Sequence, residues 1–215
     1  MKIVSFVGAK GGTGKSSTSL ITAWELAKTH KKKVAVVDAD VQGTCMSAMA
    51  LNEELPFHVH AAGSKKQLWE IGKDLSDKKY DYLIIDGNPR SIHEDPDLIK
   101  VIAQLSDLNV IVARPAPRDL KAQLIYADMV KQATKGDIRL LWNFFQKNTS
   151  AHRDGIPEGE KLLGLQSLKT RIGLRIAYQD IGYGEGYIGD MHNREALQEV
   201  RALGNEIKRI LDGKK

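Results

Sequence analysis

The sequence predicts an α/β fold in which a mainly parallel, twisted sheet carries helices on both faces. Three observations support this prediction. Short apolar runs rich in β-branched residues recur along residues 2–145, and segments with apolar residues at helical spacing separate several of them. Several runs are apolar throughout, as expected for strands covered on both faces. Because 215 residues can bury a substantial core, we expect one domain spanning residues 1–215.

The predicted elements follow one another as strands and helices. The first strand, residues 2–8, ends in glycines and leads into a helix over residues 16–30. Further strands are predicted at residues 32–40, 80–86, 108–115 and 137–145, with a weaker one at 57–62. Further helices are predicted at residues 95–105, 119–133 and 193–211. The polar, Gly- and Pro-bearing segments 150–161 and 179–190 are interpreted as loops.

Composition narrows the class of protein. The sequence has no run of eighteen apolar residues and no charged-then-apolar leader before the first strand, so we expect a soluble, cytoplasmic protein. Its single cysteine, Cys45, can form no internal disulfide and no cysteine-based zinc or iron–sulfur site. The net charge of +5 and the pI of about 9.1 are compatible with a polyanionic partner.

A glycine-rich stretch between the first strand and helix predicts a nucleotide-phosphate site. The stretch "GAKGGTGKSS", residues 8–17, is called here the phosphate loop. Its glycines allow backbone N–H groups to turn toward phosphates, Lys15 can reach the β- and γ-phosphates, and the Ser16 hydroxyl can bind Mg²⁺. The phosphate-binding pattern gives no role to Lys10.

Carboxylates at the ends of two predicted strands complete the expected site. Asp86 follows "YLII" and is the favoured candidate for holding the magnesium shell. Asp38 and Asp40 follow "VAVV", and Asp40 is the candidate for placing the attacking water and a further candidate near the metal.

Three motifs together resemble those of the ParA/MinD ATPases. "KGGTGKSS" at residues 10–17 resembles their deviant Walker A motif, "DADVQGT" at 38–44 their switch, and "YDYLIIDGNP" at 80–89 their Walker B motif. The "RPAPRDL" stretch and the chain length resemble the short plasmid-partition proteins of the ParF type. The resemblance implies a P-loop NTPase fold, ATP and Mg²⁺ as ligands, and a homodimer formed on ATP binding.

The resemblance also assigns roles by position. Lys10 matches the signature lysine that reaches the ATP of the facing subunit, Asp40 the switch acid associated with hydrolysis, and Asp86 the Walker B acid. The nucleotide and magnesium contacts match Gly11, Gly12, Thr13, Gly14, Lys15, Ser16 and Ser17, with Asn143, Pro115 and Pro117 near the adenine. Val41 and Asn88 stand where the family usually has proline, and Arg90 has no assigned role.

The function implied is DNA partition. An ATP-bound dimer of this type binds DNA without sequence preference, associates with the nucleoid, and moves a plasmid or chromosome with a ParB/ParG-like centromere-binding activator. The candidate DNA contacts lie in the C-terminal third: Lys169, Arg171, Arg175, Arg194 and Arg201.

Two alternatives remain open at this point. The same ATPase could position a protein or membrane cargo, or the chain could be a biosynthetic ATP-dependent synthetase of the same fold. MinD-type proteins end in an amphipathic membrane helix. The one-sided apolar stripe of residues 193–211 and its lack of aromatic residues favour a helix packed on the sheet, so we expect no membrane partner.

Overall fold

The computed structural model describes residues 1–40, 42–51, 55–88, 95–178 and 193–213. The described strands are β1 (Lys2–Val7), β2 (Val34–Asp38), β3 (His58–Ala61), β4 (Tyr82–Asp86), β5 (Leu108–Ala113), β6 (Asp137–Phe145) and β7 (Ser167–Gly173). The described helices are α1 (Lys15–Trp24), α2 (Thr44–Leu51), α3 (Lys65–Asp77), α4 (Pro96–Leu105), α5 (Pro117–Ala133), α6 (Ser150–Leu163) and α7 (Arg194–Leu211). A short π-helix, Glu25–Thr29, continues α1.

The strands form a parallel sheet in the order β3-β2-β4-β1-β5-β6-β7. The predicted fold class is therefore confirmed. In the register, Asp86 pairs with Phe6 of β1 on one side and with Asp38 of β2 on the other. This pairing brings the end of β1, where the phosphate loop begins, next to Asp86, with Asp38 one strand further along the same edge. Ligands of open α/β sheets bind at this carboxyl edge.

Successive side chains of a strand point to opposite faces of the sheet, and they contribute to two hydrophobic cores, one on each face. In β2, Val34 and Val36 pack on the side of α1, α2 and α7, while Ala35 and Val37 pack on the side of α3 to α6. Both faces are apolar because helices cover both, which is why the sequence shows continuous apolar runs.

The loop prediction for residues 150–161 is wrong, because these residues belong to helix α6. Two glycines in it permit close packing. A Cβ at Gly155 would lie 2.9 Å from the carbonyl oxygen of Pro115, and one at Gly159 would lie 2.5 Å from Cη2 of Trp142. The residues that suggested a loop therefore allow the helix to approach the sheet. The second predicted loop, 179–190, lies outside the described residues.

Besides α6, three further elements were not predicted: α2, α3 and β7. Helix α3 buries only Leu68 and Leu75, and it begins at a Ser64 side chain that accepts a hydrogen bond from the amide of Gln67. Strand β7 lies at the border of the sheet, where charged residues alternate with Leu168 and Ile172. Few buried residues in each element leave a weak periodic signal.

Glutamate side chains accept hydrogen bonds from backbone amides of the border strand β7. Glu206 accepts from the amides of Lys169 (2.7 Å) and Thr170 (2.9 Å), and Glu199 accepts from that of Gly173 (3.0 Å). Glu160 of α6 accepts from the amide of Ser167 at 3.2 Å. The packing of α7 against β7 thus combines apolar burial with these charge-assisted hydrogen bonds.

The apolar stripe of α7 is buried in the core, which confirms the predicted packing on the sheet. Val200, Leu203 and Ile207 are at most 1% exposed. Asn193 caps the helix by accepting from the amides of Glu195 and Ala196. Among the residues described, no helix is both long enough and apolar enough to span a bilayer.

Candidate functional site

The phosphate loop has a backbone that requires glycine at two points. Gly12 (φ 67°) and Gly14 (φ 86°) are in the left-handed region, and Gly14 directly precedes α1. A Cβ at Gly14 would overlap the side-chain amide of Asn143. The loop therefore leads into the N-terminus of α1, where free amides and the helix dipole favour an anion.

Two buried amide side chains hold the loop against the sheet. Asn143 of β6 donates from Nδ2 to the carbonyl of Thr13 (2.7 Å), and its Oδ1 accepts from the amide of Phe144 (2.8 Å). Gln123 of α5 accepts from the amide of Ala9 (2.9 Å) and donates to the carbonyl of Val112 (3.2 Å). These bonds fix the loop conformation before any nucleotide arrives.

Lys15 lies folded over the loop. Its residue is 5% exposed, and its Nζ donates to the carbonyl of Lys10 at 2.8 Å. Burial lowers the pKa of Lys15, while the negative charges of Asp86 and Asp40 act in the opposite direction. A phosphate group beside this ammonium would supply the counter-charge that burial removes.

Asp86 is fully buried at the end of β4. Its Oδ2 is 3.2 Å from the thiol of Cys45 and its Oδ1 is 3.4 Å from the hydroxyl of Ser19, and the Ser16 hydroxyl also donates to it. Burial raises the pKa of Asp86 to about 6, and the hydrogen bonds and Lys15 only partly oppose that rise. A buried carboxylate with a raised pKa is stabilised by a cation placed against it.

Within the switch segment, residues 38–44, the carboxylate of Asp38 lies against the start of α2. Asp38 accepts from the amides of Cys45 (2.9 Å) and Met46 (3.1 Å) at the start of α2, and burial raises its pKa. Asp40 is half-buried and accepts from the amide of Gln42 at 3.0 Å. Asp38 therefore connects the end of β2 with the start of α2. Asp40 lies within electrostatic range of Lys15.

Lys10 points to a different partner from Lys15. Its Nζ pairs with Oδ1 of Asp119, in the first turn of α5, at 2.5 Å. The other carboxylate oxygen of Asp119 is 3.9 Å from Nε of Arg114. Arg114 also donates to the carbonyl of Gly12 and stacks over the ring of Phe144 at 4.5 Å. The two lysines of the loop thus have separate environments.

The donor set fits Mg²⁺ bound together with a nucleotide. Ser16 and Asp86 offer a hydroxyl and a carboxylate at the loop, which are hard oxygen ligands. Within the described part of the chain, no cluster of three or more His, Cys, Asp or Glu side chains is arranged to hold a metal alone. Mg²⁺ is commonly held by one or two carboxylates plus substrate phosphates, as this set would require.

The predicted adenine residues differ in their burial and in their contact with the phosphate loop. Asn143 touches the loop itself, whereas Pro115 is buried under α6 and Pro117 is exposed at the start of α5. Next to Phe144, a cavity of about 610 Å³ is lined by Phe145, Lys147, Thr149, Arg171 and Leu174, among others. The adenine contacts remain predictions.

The predicted DNA contacts differ in availability. Arg175 is held by Glu199 (2.6 Å) and Glu195 (2.7 Å), which neutralise its charge within the chain. Lys169, Arg171, Arg194 and Arg201 are exposed on β7 and α7. Arg194 and Arg201 are two helical turns apart and so lie on one face of α7. Val41 and Arg90 lie outside the described residues, and Asn88 is buried.

Four residues of the site were missed in the sequence: Cys45, Arg114, Asp119 and Gln123. Asp119 and Gln123 lie more than a hundred positions from the loop residues they contact. Asp119 stands in the "RPAPRDL" stretch, but the resemblance of that stretch assigned it no role. One signal was present, because Asp119 occupies the first turn of a predicted helix, a position that favours an acid.

The model of the CobQ/CobB/MinD/ParA nucleotide-binding domain matches residues 4–181 of the chain. This range holds the phosphate loop, the switch segment and Asp86. No significant match is found among curated protein sequences.

Several solved structures share the fold. The MinD cell division protein of Aquifex aeolicus is 15% identical with a TM-score of 0.80, and 97% of each chain is covered. The septum site-determining protein MinD of Pyrococcus horikoshii, complexed with Mg-ADP, is 17% identical with a TM-score of 0.77, covering 100% of this chain and 98% of that one. A ParA family ATPase of Chlorobium tepidum is 18% identical with a TM-score of 0.70, covering 95% and 98%.

Proposed function

The chain belongs to the CobQ/CobB/MinD/ParA nucleotide-binding family, and on that premise we propose that it is a Mg²⁺-dependent ATPase that dimerises around ATP. The ATP-bound dimer binds DNA without sequence preference and drives the partition of a plasmid or chromosome. A ParB/ParG-like centromere-binding protein stimulates hydrolysis and releases the dimer from DNA. The protein associates with the nucleoid through this DNA binding.

One observation carries the proposal: the two lysines of the phosphate loop have different environments. Lys15 is buried and bonds within the loop, as a residue that serves the phosphates of its own subunit would. The side chain of Lys10 is 39% exposed and pairs with Asp119 outside the loop. A partly exposed ammonium at this point is available to a nucleotide in a facing subunit.

The remaining groups support hydrolysis of that nucleotide. Mg²⁺ bound with ATP would neutralise developing charge on the phosphates, and Ser16 and Asp86 would hold it. The backbone amides of the loop and the ammonium of Lys15 orient the phosphates. Asp40, on the switch segment, positions the attacking water. The exposed cations of β7 and α7 supply the contacts to DNA phosphates.

Lys10→Ala tests the proposal directly. We expect the variant to bind ATP as a monomer but to lose ATP-dependent dimerisation and at least tenfold in hydrolysis rate, because the facing phosphates lose a cation. Sedimentation with and without ATP measures the dimer, and phosphate release measures turnover.

Lys15→Ala is the matched control, since it should lose ATP binding itself. Unchanged unfolding by urea would show that Lys10→Ala is folded. Normal ATP-dependent dimers and turnover in Lys10→Ala would refute the intermolecular role.

Binding to DNA is tested with fluorescent duplex DNA of two unrelated sequences. With ATP and the hydrolysis-slowing variant Asp40→Ala, we expect similar affinity for both duplexes and steep weakening as salt rises. With ADP the affinity should fall at least tenfold, because the dimer doubles the number of contacts. Binding that does not depend on ATP, or no binding at low salt, would favour a protein cargo or a biosynthetic reaction.

A further inference from the structure

The carboxylate of Asp119 carries the charge that keeps Lys10 in place. The side chain of Asp119 is 13% exposed, and its Oδ1 pairs with the Lys10 ammonium. Lys10 must leave this carboxylate before its ammonium can reach a phosphate of a facing subunit. A largely buried carboxylate that loses its closest cation is strongly disfavoured unless another cation replaces it. Release of Lys10 therefore requires a substitute charge at Asp119.

Arg114 is placed to supply that charge. Its Nε lies 3.9 Å from Oδ2 of Asp119, the oxygen that Lys10 does not use. The Cζ atom of the guanidinium lies over the Phe144 ring, 4.5 Å from its centroid, and the guanidinium donates to the carbonyl of Gly12. Its side chain is 45% exposed, so a small shift toward Asp119 meets no packed core.

The backbone around Phe144 fixes the platform on which the guanidinium lies. Phe144 has a φ of 54°, in the left-handed region that an aromatic residue rarely adopts. Its amide donates to the side chain of Asn143, which also bonds the phosphate loop. Arg114 is therefore linked to the same loop that carries Lys10.

We infer that Arg114 is a positioning residue. It forms the close ion pair with the carboxylate of Asp119 when Lys10 leaves that carboxylate for the facing subunit. Arg114 thereby lowers the free-energy cost of forming the ATP-bound dimer. This inference rests on the proposed intermolecular role of Lys10. It assigns to Arg114 no contact with the nucleotide.

A double-mutant cycle measures the exchange. In the Asp40→Ala background, Arg114→Gln should weaken ATP-dependent dimerisation about two- to fivefold per subunit, the range for partly exposed ion pairs. The comparison is made at saturating ATP, so that it reports dimerisation and not the ATP affinity of the monomer. Combined with Asp119→Asn, the same change should have no effect, because the carboxylate that needs a cation is gone.

Arg118→Gln is the matched control, an exposed arginine at the start of α5 that should leave dimerisation unchanged. Arg114→Lys keeps the charge and should restore most of the dimer affinity. Equal weakening by Arg114→Gln with and without Asp119 would overturn the inference, as would no weakening at all.

A monomer experiment separates this inference from the proposed function. Without nucleotide, the rate at which sulfo-NHS-acetate acetylates Lys10, followed by peptide mass spectrometry, reports how tightly Asp119 holds the amine. Arg114→Gln should slow this acetylation about two- to fivefold, and Asp119→Asn should accelerate it. Should the wild-type chain form no dimer with ATP, the proposed function fails. Equal acetylation rates in Arg114→Gln and wild type would overturn the present inference by themselves.

Discussion

The protonation of Asp86 affects both the free energy of unfolding and the binding of Mg²⁺ with a nucleotide. In the nucleotide-free protein, burial raises its pKa to about 6 from the ordinary 3.8. Between these values the folded chain holds a proton that the unfolded chain has lost. The contribution of Asp86 to the free energy of unfolding therefore falls as the pH rises from about 4 to about 6, by roughly 3 kcal/mol.

Asp86→Asn removes this ionisation. We expect the nucleotide-free variant to be more stable than wild type at pH 7.5, by roughly 1–3 kcal/mol, and to lose that advantage near pH 4.5. Mg²⁺-dependent hydrolysis should be abolished. Urea unfolding at both pH values, without Mg²⁺, measures the stability.

The exposed Asp97 provides the control of opposite sign. Hydrogen bonds from Lys100 and Lys65 lower the pKa of Asp97, so Asp97→Asn should reduce stability at pH 7.5. A loss of stability in Asp86→Asn at both pH values would contradict the prediction.

At the residue scale, the sequence predicted those site residues that a local motif or a strand end specifies. The Lys15 and Ser16 positions follow from the phosphate-loop pattern, and Asp86 follows from its place at a strand end. The partner of Lys10 could not be predicted, because Asp119 meets it only through the packing of α5 beside β5. Asn143 was predicted near the adenine, and the structure adds its bond to the loop.

At the scale of elements, helix α6 shows how packing overrides local propensity. Gly155, Pro157 and Gly159 each disfavour a helix interior, yet the helix spans Ser150–Leu163. Its neighbours require the small residues, as the distances from Gly155 and Gly159 show. Apolar spacing predicted the helices with broad buried faces, and it failed where two glycines replace the usual apolar contacts.

Gly159→Ala should therefore destabilise the protein, although alanine is the better helix former. The added methyl would lie 2.5 Å from the Trp142 ring and 3.0 Å from Cδ2 of Leu120. We expect a loss of about 1–3 kcal/mol in the free energy of unfolding, typical of overpacked cores. Urea titration provides the measurement.

Gly72→Ala in α3 is the matched control, because a Cβ there meets no atom within 4 Å. Its expected effect is a gain of about 0.5–1 kcal/mol from helix propensity. If both variants gained stability, close packing would not be the reason for glycine at position 159.

At the scale of the whole molecule, the predicted DNA contacts that are exposed share the border strand and the last helix. They are Lys169, Arg171, Arg194 and Arg201. A dimer would carry two such sets. The fold class was predicted correctly at this scale because continuous apolar runs separated by helices admit few other arrangements.

The salt dependence of DNA binding measures how many of these cations contact DNA phosphates. With about 0.9 counterions released per phosphate contact, a dimer using most of eight cations should give a log–log slope of about −4 to −7. The double variant Arg194→Gln/Arg201→Gln should reduce the magnitude of the slope by about 3–4.

Lys66→Gln/Lys73→Gln, on α3 at the opposite face of the sheet, removes the same charge and should leave the slope nearly unchanged. Equal slopes in wild type and in the α7 variant would place the DNA surface elsewhere.

The glutamates that bond to β7 limit how copies of this protein can associate. Four amides of this border strand already donate to Glu160, Glu199 and Glu206. A strand in this state offers few donors to a strand of a neighbouring molecule. We expect any filament or array of this protein to use side-chain contacts, and not pairing of strands, wherever two copies meet at β7.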